Sequence, residues 1–187
     1  MNYAEIKYYD IANGPGVRTS LFVSGCRRHC RNCFNACTWD FDYGKPFTKE
    51  VQDEVLASLD SDYIDGLTIL GGEPFEPENQ RALLPFVKRV KAQYPDKPLW
   101  VFSGNVLEEM TEGLDGGEGA EHLPAGHARC EVTDEFLSCI DVLVDGPFIE
   151  EQKDISLQFR GSRNQRILDV KESLRTRKAV AYSIGMK

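Results

Sequence analysis

The chain has 187 residues, enough for one compact domain with a sizeable core and hardly enough for two. Its 22 basic and 30 acidic residues leave a net charge of -8, which gives no global support for non-specific binding to nucleic acid or anionic membranes. No apolar run reaches the roughly 18 residues that span a bilayer, and Met1 to Glu5 has neither the basic nor the apolar region of a signal peptide, so a cytoplasmic protein is expected.

In chain order, the mixed, aromatic stretch Tyr3 to Asp10 leads into Asn13-Gly14-Pro15-Gly16, a dense turn signal. The β-branched and aromatic residues from Arg18 to Val23 predict a strand that stops at Gly25, immediately before Cys26. Cys26, Cys30 and Cys33 then fall within eight residues. Thr38 to Gly44 is too aromatic for a free linker and is expected to pack over that loop, and Thr48 reads as the N-cap of a helix carrying Val51, Val55 and Leu59 on one face.

Gly66 to Leu70 suits a strand buried on both faces, and it runs straight into Gly71-Gly72-Glu73-Pro74. Pro77 to Tyr94 has apolar residues at helical spacing, with Pro85 expected to distort its first turns. A third strand, Pro98 to Phe102, closes on Ser103-Gly104-Asn105, and Val106 to Met110 opens another helix. The glycines between Thr111 and Arg129 predict a mobile surface insertion. Thr133 to Ser138 is a short helix, and Ile140 to Val144 a fourth strand ending at Asp145-Gly146-Pro147. Ile155 to Arg160 and Arg166 to Val170 are weaker stretches, edge strands or a covering loop, and the basic tail from Lys171 is expected to fray.

The four strands deliver every unusual loop to one rim, where parallel α/β sheets place their active sites. An open partial (β/α) barrel with a mainly parallel sheet is expected, because the chain is too short for eight βα units; it forms a single domain over residues 1–187, with the glycine-rich insertion at about 111–129.

The three thiols allow two metal readings. Six cysteines with three in one loop argue for ligands rather than a disulfide framework. Structural zinc takes four protein ligands, so the triad would need His29, Cys37, His122, His127, Cys130 or Cys139 as a partner. An iron-sulfur cluster held by three thiolates instead leaves one iron open to substrate. Glycines aimed at the same rim favour the cluster.

A cysteine triad with three and then two intervening residues, followed after the next strand by Gly71-Gly72-Glu73-Pro74, resembles the radical S-adenosylmethionine superfamily. Asn13 to Thr19, Cys33-Phe34-Asn35, Val144 to Phe148 and Phe159 to Arg166 narrow the resemblance to the activators of anaerobic, class III ribonucleoside-triphosphate reductase, from Tyr3 to about Val170. That resemblance implies a [4Fe-4S] cluster on Cys26, Cys30 and Cys33, with S-adenosylmethionine on the open iron. It places Gly71, Gly72, Glu73 and Pro74 at the methionine amino group, Asn32 and Phe34 at the adenosyl portion, and Ser103 or Asn105 at the ribose. It also implies the chemistry: reductive cleavage to a 5'-deoxyadenosyl radical that takes a hydrogen from a glycine of the partner reductase. No catalytic side chain beyond the cluster and cofactor is implied, and the electron comes from a low-potential reductant such as flavodoxin or ferredoxin. The activator of pyruvate formate-lyase or another glycyl-radical enzyme is the nearest rival, and a non-catalytic zinc-binding module the alternative from another class.

Two departures from the superfamily pattern stand out: Asn32 occupies a position that is often aromatic, and the insertion has no counterpart. Cys37 reads as a packed thiol, because a fourth thiolate would close the open iron. Cys130 and Cys139 read as loop and helix-end thiols, Asp145 as either a cofactor contact or a capping residue, and Arg27, Arg28 and Arg31 carry no assigned role.

Overall fold

Period-two alternation divides the Arg18–Val23 strand between two environments: Leu21 and Val23 enter the larger core, while Ser20 and Phe22 lie on the opposite face. In the computed structural model, which describes residues 1–111 and 128–185, this strand is one of seven in a single sheet. The strands are β1 (Asn2–Asp10), β2 (Arg18–Val23), β3 (Lys45–Pro46), β4 (Gly66–Gly71), β5 (Leu99–Phe102), β6 (Val142–Asp145) and β7 (Arg166–Asp169), in the order β3-β1-β2-β4-β5-β6-β7.

The β2, β4, β5 and β6 strands are mutually parallel neighbours, and their carboxyl ends share one rim. The β1–β2, β1–β3 and β6–β7 pairings are antiparallel. The sheet is therefore mixed and unclosed, where a mainly parallel one was expected. The connections agree with this: the β1–β2 link, residues 11–17, is too short for a parallel crossover, and the long β6–β7 link, residues 146–165, carries no crossover helix, only a 3-10 turn at Glu150–Gln152.

Helices α1 (Lys49–Ser58), α2 (Pro77–Gln93), α3 (Leu107–Met110) and α4 (Thr133–Ser138) make those crossovers, and α5 (Val170–Thr176) follows β7. Thr48 caps α1 by accepting the Val51 N–H at 3.5 Å, as expected. The second helix runs unbroken through Pro85. This residue and Arg81, whose carbonyl loses a donor, both face solvent, so water can replace the missing bond. Leu83, Phe86, Val87 and Val90 bury the opposite face against the sheet core.

Through residue 185 the tail packs back on the fold rather than fraying. Asp169 accepts the Glu172 N–H at 2.9 Å to cap α5, and Arg177 closes the helix in the left-handed region. The chain then returns along β7, with the Tyr182 N–H on the Ile167 carbonyl at 2.8 Å. Tyr182 and Phe159 each meet Trp100 edge-on, completing a second core with Val142, Val144 and Ile167. Aromatic burial outweighs the basic composition of this segment. Ile155 to Arg160 forms a covering loop rather than a strand, with Ile155 95% exposed.

Residues 112–127 of the predicted insertion, including His122 and His127, lie outside the described residues. Among the described residues, no helix is long and apolar enough to cross a membrane.

Candidate metal and cofactor site

The cysteine loop leaves β2 through Ser24 and Gly25 and is fastened at its neck. Gly25 and Cys26 donate their N–H groups to the Thr38 and Trp39 carbonyls at 2.8 and 3.0 Å. Gly25 has φ +97, and a Cβ there would collide with the Phe41 ring, so the expected packing of Thr38 to Gly44 over the loop is found.

The double-glycine loop locks into the same neck. The Gly72 and Glu73 N–H groups donate to the Val23 and Gly25 carbonyls, both at 2.8 Å, while a Cβ on Gly72 would lie 2.6 Å from the Gly25 oxygen. Asn79, buried in the first turn of α2, sews the two loops together. Its amide donates to the Ser24 carbonyl at 3.0 Å and to the Glu73 carbonyl at 2.9 Å.

Glu73 is 2% exposed and fully engaged. One oxygen accepts the Phe75 N–H and the Ser103 hydroxyl, both at 2.9 Å, and the other accepts the Gly104 N–H at 2.8 Å. Burial pushes its carboxyl up, and these donors with the Arg28 charge pull it back. Arg28 crosses the face of Gly104, where a Cβ would lie 2.5 Å from its Cδ. One guanidinium nitrogen of Arg28, Nη1, donates to the Asn105 side-chain oxygen.

Cys26, Cys30 and Cys33 line one cleft with Gly71, Gly72, Glu73 and Ser103. Arg28, Asn35, Trp39, Leu70, Phe102, Gly104, Gly146, Phe148 and Gln165 complete the lining. All three thiols are free and half-buried. Burial, with Glu73 nearby, pushes the Cys26 thiol up to about 12, and burial also raises Cys30 against the pull of Arg28. Bare thiolates are therefore disfavoured, and metal binding must displace protons.

This donor set fits a cluster. Among the described residues, no three His, Cys, Asp or Glu side chains gather tightly enough to hold a single ion. A cubane differs in needing one thiolate per iron, spread around the cluster. His29 stacks on Trp39 at 4.5 Å, Cys130 accepts from the Thr133 hydroxyl at 3.7 Å, and Cys139 caps the end of α4. Cys37 is exposed, which corrects the expectation of a packed thiol: the 3-10 turn at Ala36–Trp39 buries Thr38 and turns its neighbour outward.

A family model described as a 4Fe-4S single cluster domain matches residues 12–168. The chain is 41% identical to the anaerobic ribonucleoside-triphosphate reductase-activating protein of Vibrio cholerae, over 89% of this chain and 97% of that one. Identity is 43% to the protein of that name from Pasteurella multocida, over 89% and 96%, and 39% to that of Escherichia coli, over 88% and 96%. The chain belongs to this family of anaerobic ribonucleoside-triphosphate reductase-activating proteins.

Within this activating-protein family member, the residues expected around a cofactor divide into three groups. Gly71, Gly72, Glu73 and Ser103 line the cleft, and Asn105 adjoins it through Arg28 and Ser103. Pro74 is buried behind. Asn32 and Phe34 are exposed at the loop's outer surface, where Asn32 takes φ +55 and Phe34 lies 5.2 Å from Phe148. Asp145 acts as a cap: it accepts the Leu107 N–H at 2.8 Å and pairs with Arg166 at 2.5 Å.

Sequence reasoning missed Arg28, Asn35, Trp39, Leu70, Phe102, Gly104, Gly146, Phe148 and Gln165 as lining residues. Asn35, Gly146, Phe148 and Gln165 lay within motifs that carried the family resemblance, and that was the available signal. The other five share a cleft only when the loops and strand ends are brought together.

Proposed function

We propose that this chain is a single-domain iron-sulfur enzyme of the radical S-adenosylmethionine type, with an open partial-barrel site, that activates anaerobic ribonucleoside-triphosphate reductase by forming a glycyl radical on it. The observation that carries this reading is the meeting of three free thiols with Gly71, Gly72 and Glu73 in one cleft, sewn together by Asn79. The names of the relatives supply the partner.

In this reading Cys26, Cys30 and Cys33 hold a [4Fe-4S] cluster and leave one iron for S-adenosylmethionine. Held there and reduced by a donor such as flavodoxin or ferredoxin, such a cluster would supply one electron for reductive cleavage of S-adenosylmethionine to methionine and a 5'-deoxyadenosyl radical. The chain's own residues bind and orient. The glycines of the double-glycine loop admit backbone close to the ligand, and Glu73 and Pro74 fix that loop toward the methionine amino group. Asn105 adjoins the ribose position, with Ser103 holding the Glu73 carboxylate in place, while Asn32 and Phe34, exposed and outside the cleft lining, would meet the adenosyl portion only at the loop's outer edge. The apolar wall of Leu70, Phe102 and Phe148 excludes water from the reacting atoms.

Anaerobic reconstitution with iron and sulfide tests the reading. The loaded protein should cleave S-adenosylmethionine under strong reductant and, mixed with the reductase, yield a glycyl-radical signal by electron paramagnetic resonance. A colourless protein that retains zinc and cleaves nothing would end it, and a signal only with pyruvate formate-lyase would reassign the partner.

A further inference from the structure

Arg28 stands in the cleft with one edge of its guanidinium committed and the other empty. Nη1 donates to Asn105, whereas Nε and Nη2 are buried and have no hydrogen-bond partner among the described residues. Nε and Nη2 form the side edge of the guanidinium, two parallel N–H donors whose spacing matches the two oxygens of a carboxylate.

Nearby acceptors do not fill that edge. Both oxygens of Glu73 are taken by Phe75, Ser103 and Gly104, and the Asn105 oxygen is taken by Nη1. Gly104 sits directly beneath the Arg28 stem, where a side chain would push the guanidinium away. Trp39, also in the cleft lining, has a second buried donor, Nε1, without a partner among the described residues, so the polar deficit in this lining is one of acceptors. A buried, charged donor pair left unmatched carries its full desolvation penalty. The geometry selects a bidentate anion.

We propose that Arg28 is the residue that recognises the carboxylate of the S-adenosylmethionine methionine moiety, through its Nε and Nη2 edge, with Asn105 and Gly104 holding the fork in register. This rests on the proposed function, since it assigns a residue to that cofactor. The cysteine loop then supplies the carboxylate contact, and the double-glycine loop is left for the ammonium.

The test compares S-adenosylmethionine with its decarboxylated analogue, by equilibrium binding to anaerobically reconstituted protein whose iron and sulfide content and visible absorption are matched. R28Q should weaken S-adenosylmethionine binding roughly tenfold to a hundredfold and leave the decarboxylated analogue within about twofold of wild type. R28K keeps the charge and the stem and should lose about tenfold, which also covers the case in which R28Q fails to load iron. Equal losses for both ligands, or no loss for either, would overturn the assignment. So would an R28Q protein with a shifted cluster reduction potential and unchanged ligand discrimination, because the edge would then face the cluster sulfur. If loaded wild type binds neither ligand, the proposed function itself has failed rather than the role of Arg28.

Discussion

Glu76 accepts the backbone N–H of Arg27 at 2.7 Å, and the Arg27 guanidinium folds back onto the same carboxylate. Glu76 is 3% exposed, at the residue preceding α2, so the first free position of the cysteine loop is tied to the helix that carries Asn79. Arg27 reaches on to Glu78 at 2.6 Å and lies over the Phe41 ring at 4.4 Å. Replacing Glu76 by alanine leaves that N–H without its acceptor. The E76A protein should lose roughly 1–3 kcal/mol of stability and release iron to a chelator several times faster than wild type, followed by visible absorption. Unchanged release would show that the clasp does not restrain the loop.

The cysteines should separate cleanly. C26A, C30A and C33A should each lose most of the iron and sulfide bound on reconstitution, and with it cleavage of S-adenosylmethionine. C37A should retain both, since Cys37 points to solvent. A C37A protein without a cluster, beside a C26A protein that kept one, would reverse the ligand assignment.

Gly25 is a steric test of the neck. Its φ of +97 and the Phe41 ring behind it leave no room for a methyl group. G25A should cost about 1–2 kcal/mol for the backbone conformation and roughly another 1–3 for overpacking. F41A in the same chain relieves the second contribution only. Thermal or denaturant unfolding of the two single variants and the double variant measures that coupling, and simple additivity would contradict it.

Asp141 provides a pH test away from the site. Burial alone would raise its carboxyl, but Lys171 at 2.5 Å, the Leu99 N–H at 2.8 Å and Lys91 at 2.9 Å outweigh burial and hold it below its ordinary 3.8. A depressed carboxylate contributes stability that is fully present above its unfolded value and is lost as pH falls through the folded one. The difference in unfolding free energy between wild type and D141N should therefore be constant from pH 7 to about 5 and shrink below about pH 4. A difference that stays flat to pH 2 would show that the charge on Asp141 is not what holds α2 and α5 to the sheet.

The elements legible in sequence were those whose signal is local. Cys26, Cys30 and Cys33 fall within eight residues, and Gly66 to Leu70 is an apolar run that ends in glycines, so the cysteine loop and the parallel strands could be placed directly. Strand β1 could not, because most of its residues are partly or fully exposed and show no alternation. The two-residue β3 is too short to carry a pattern. Asn79 and Arg28 were illegible for another reason: their partners lie 55 and 77 positions away, and only the assembled rim defines the bonds. Tyr182 anchors the tail through Trp100, a contact across more than eighty residues that outweighs local charge.

The carbonyls of Thr38 and Trp39 that bind Gly25 and Cys26 belong to the polypeptide alone and need no iron. They close the cysteine segment into a ring of chain before any cluster arrives, so the entropy of bringing its ends together is already spent in folding. What remains for assembly is the ordering of the interior, from Arg27 to Cys37. Gain and loss of a cluster at this loop should then be local events on a standing scaffold.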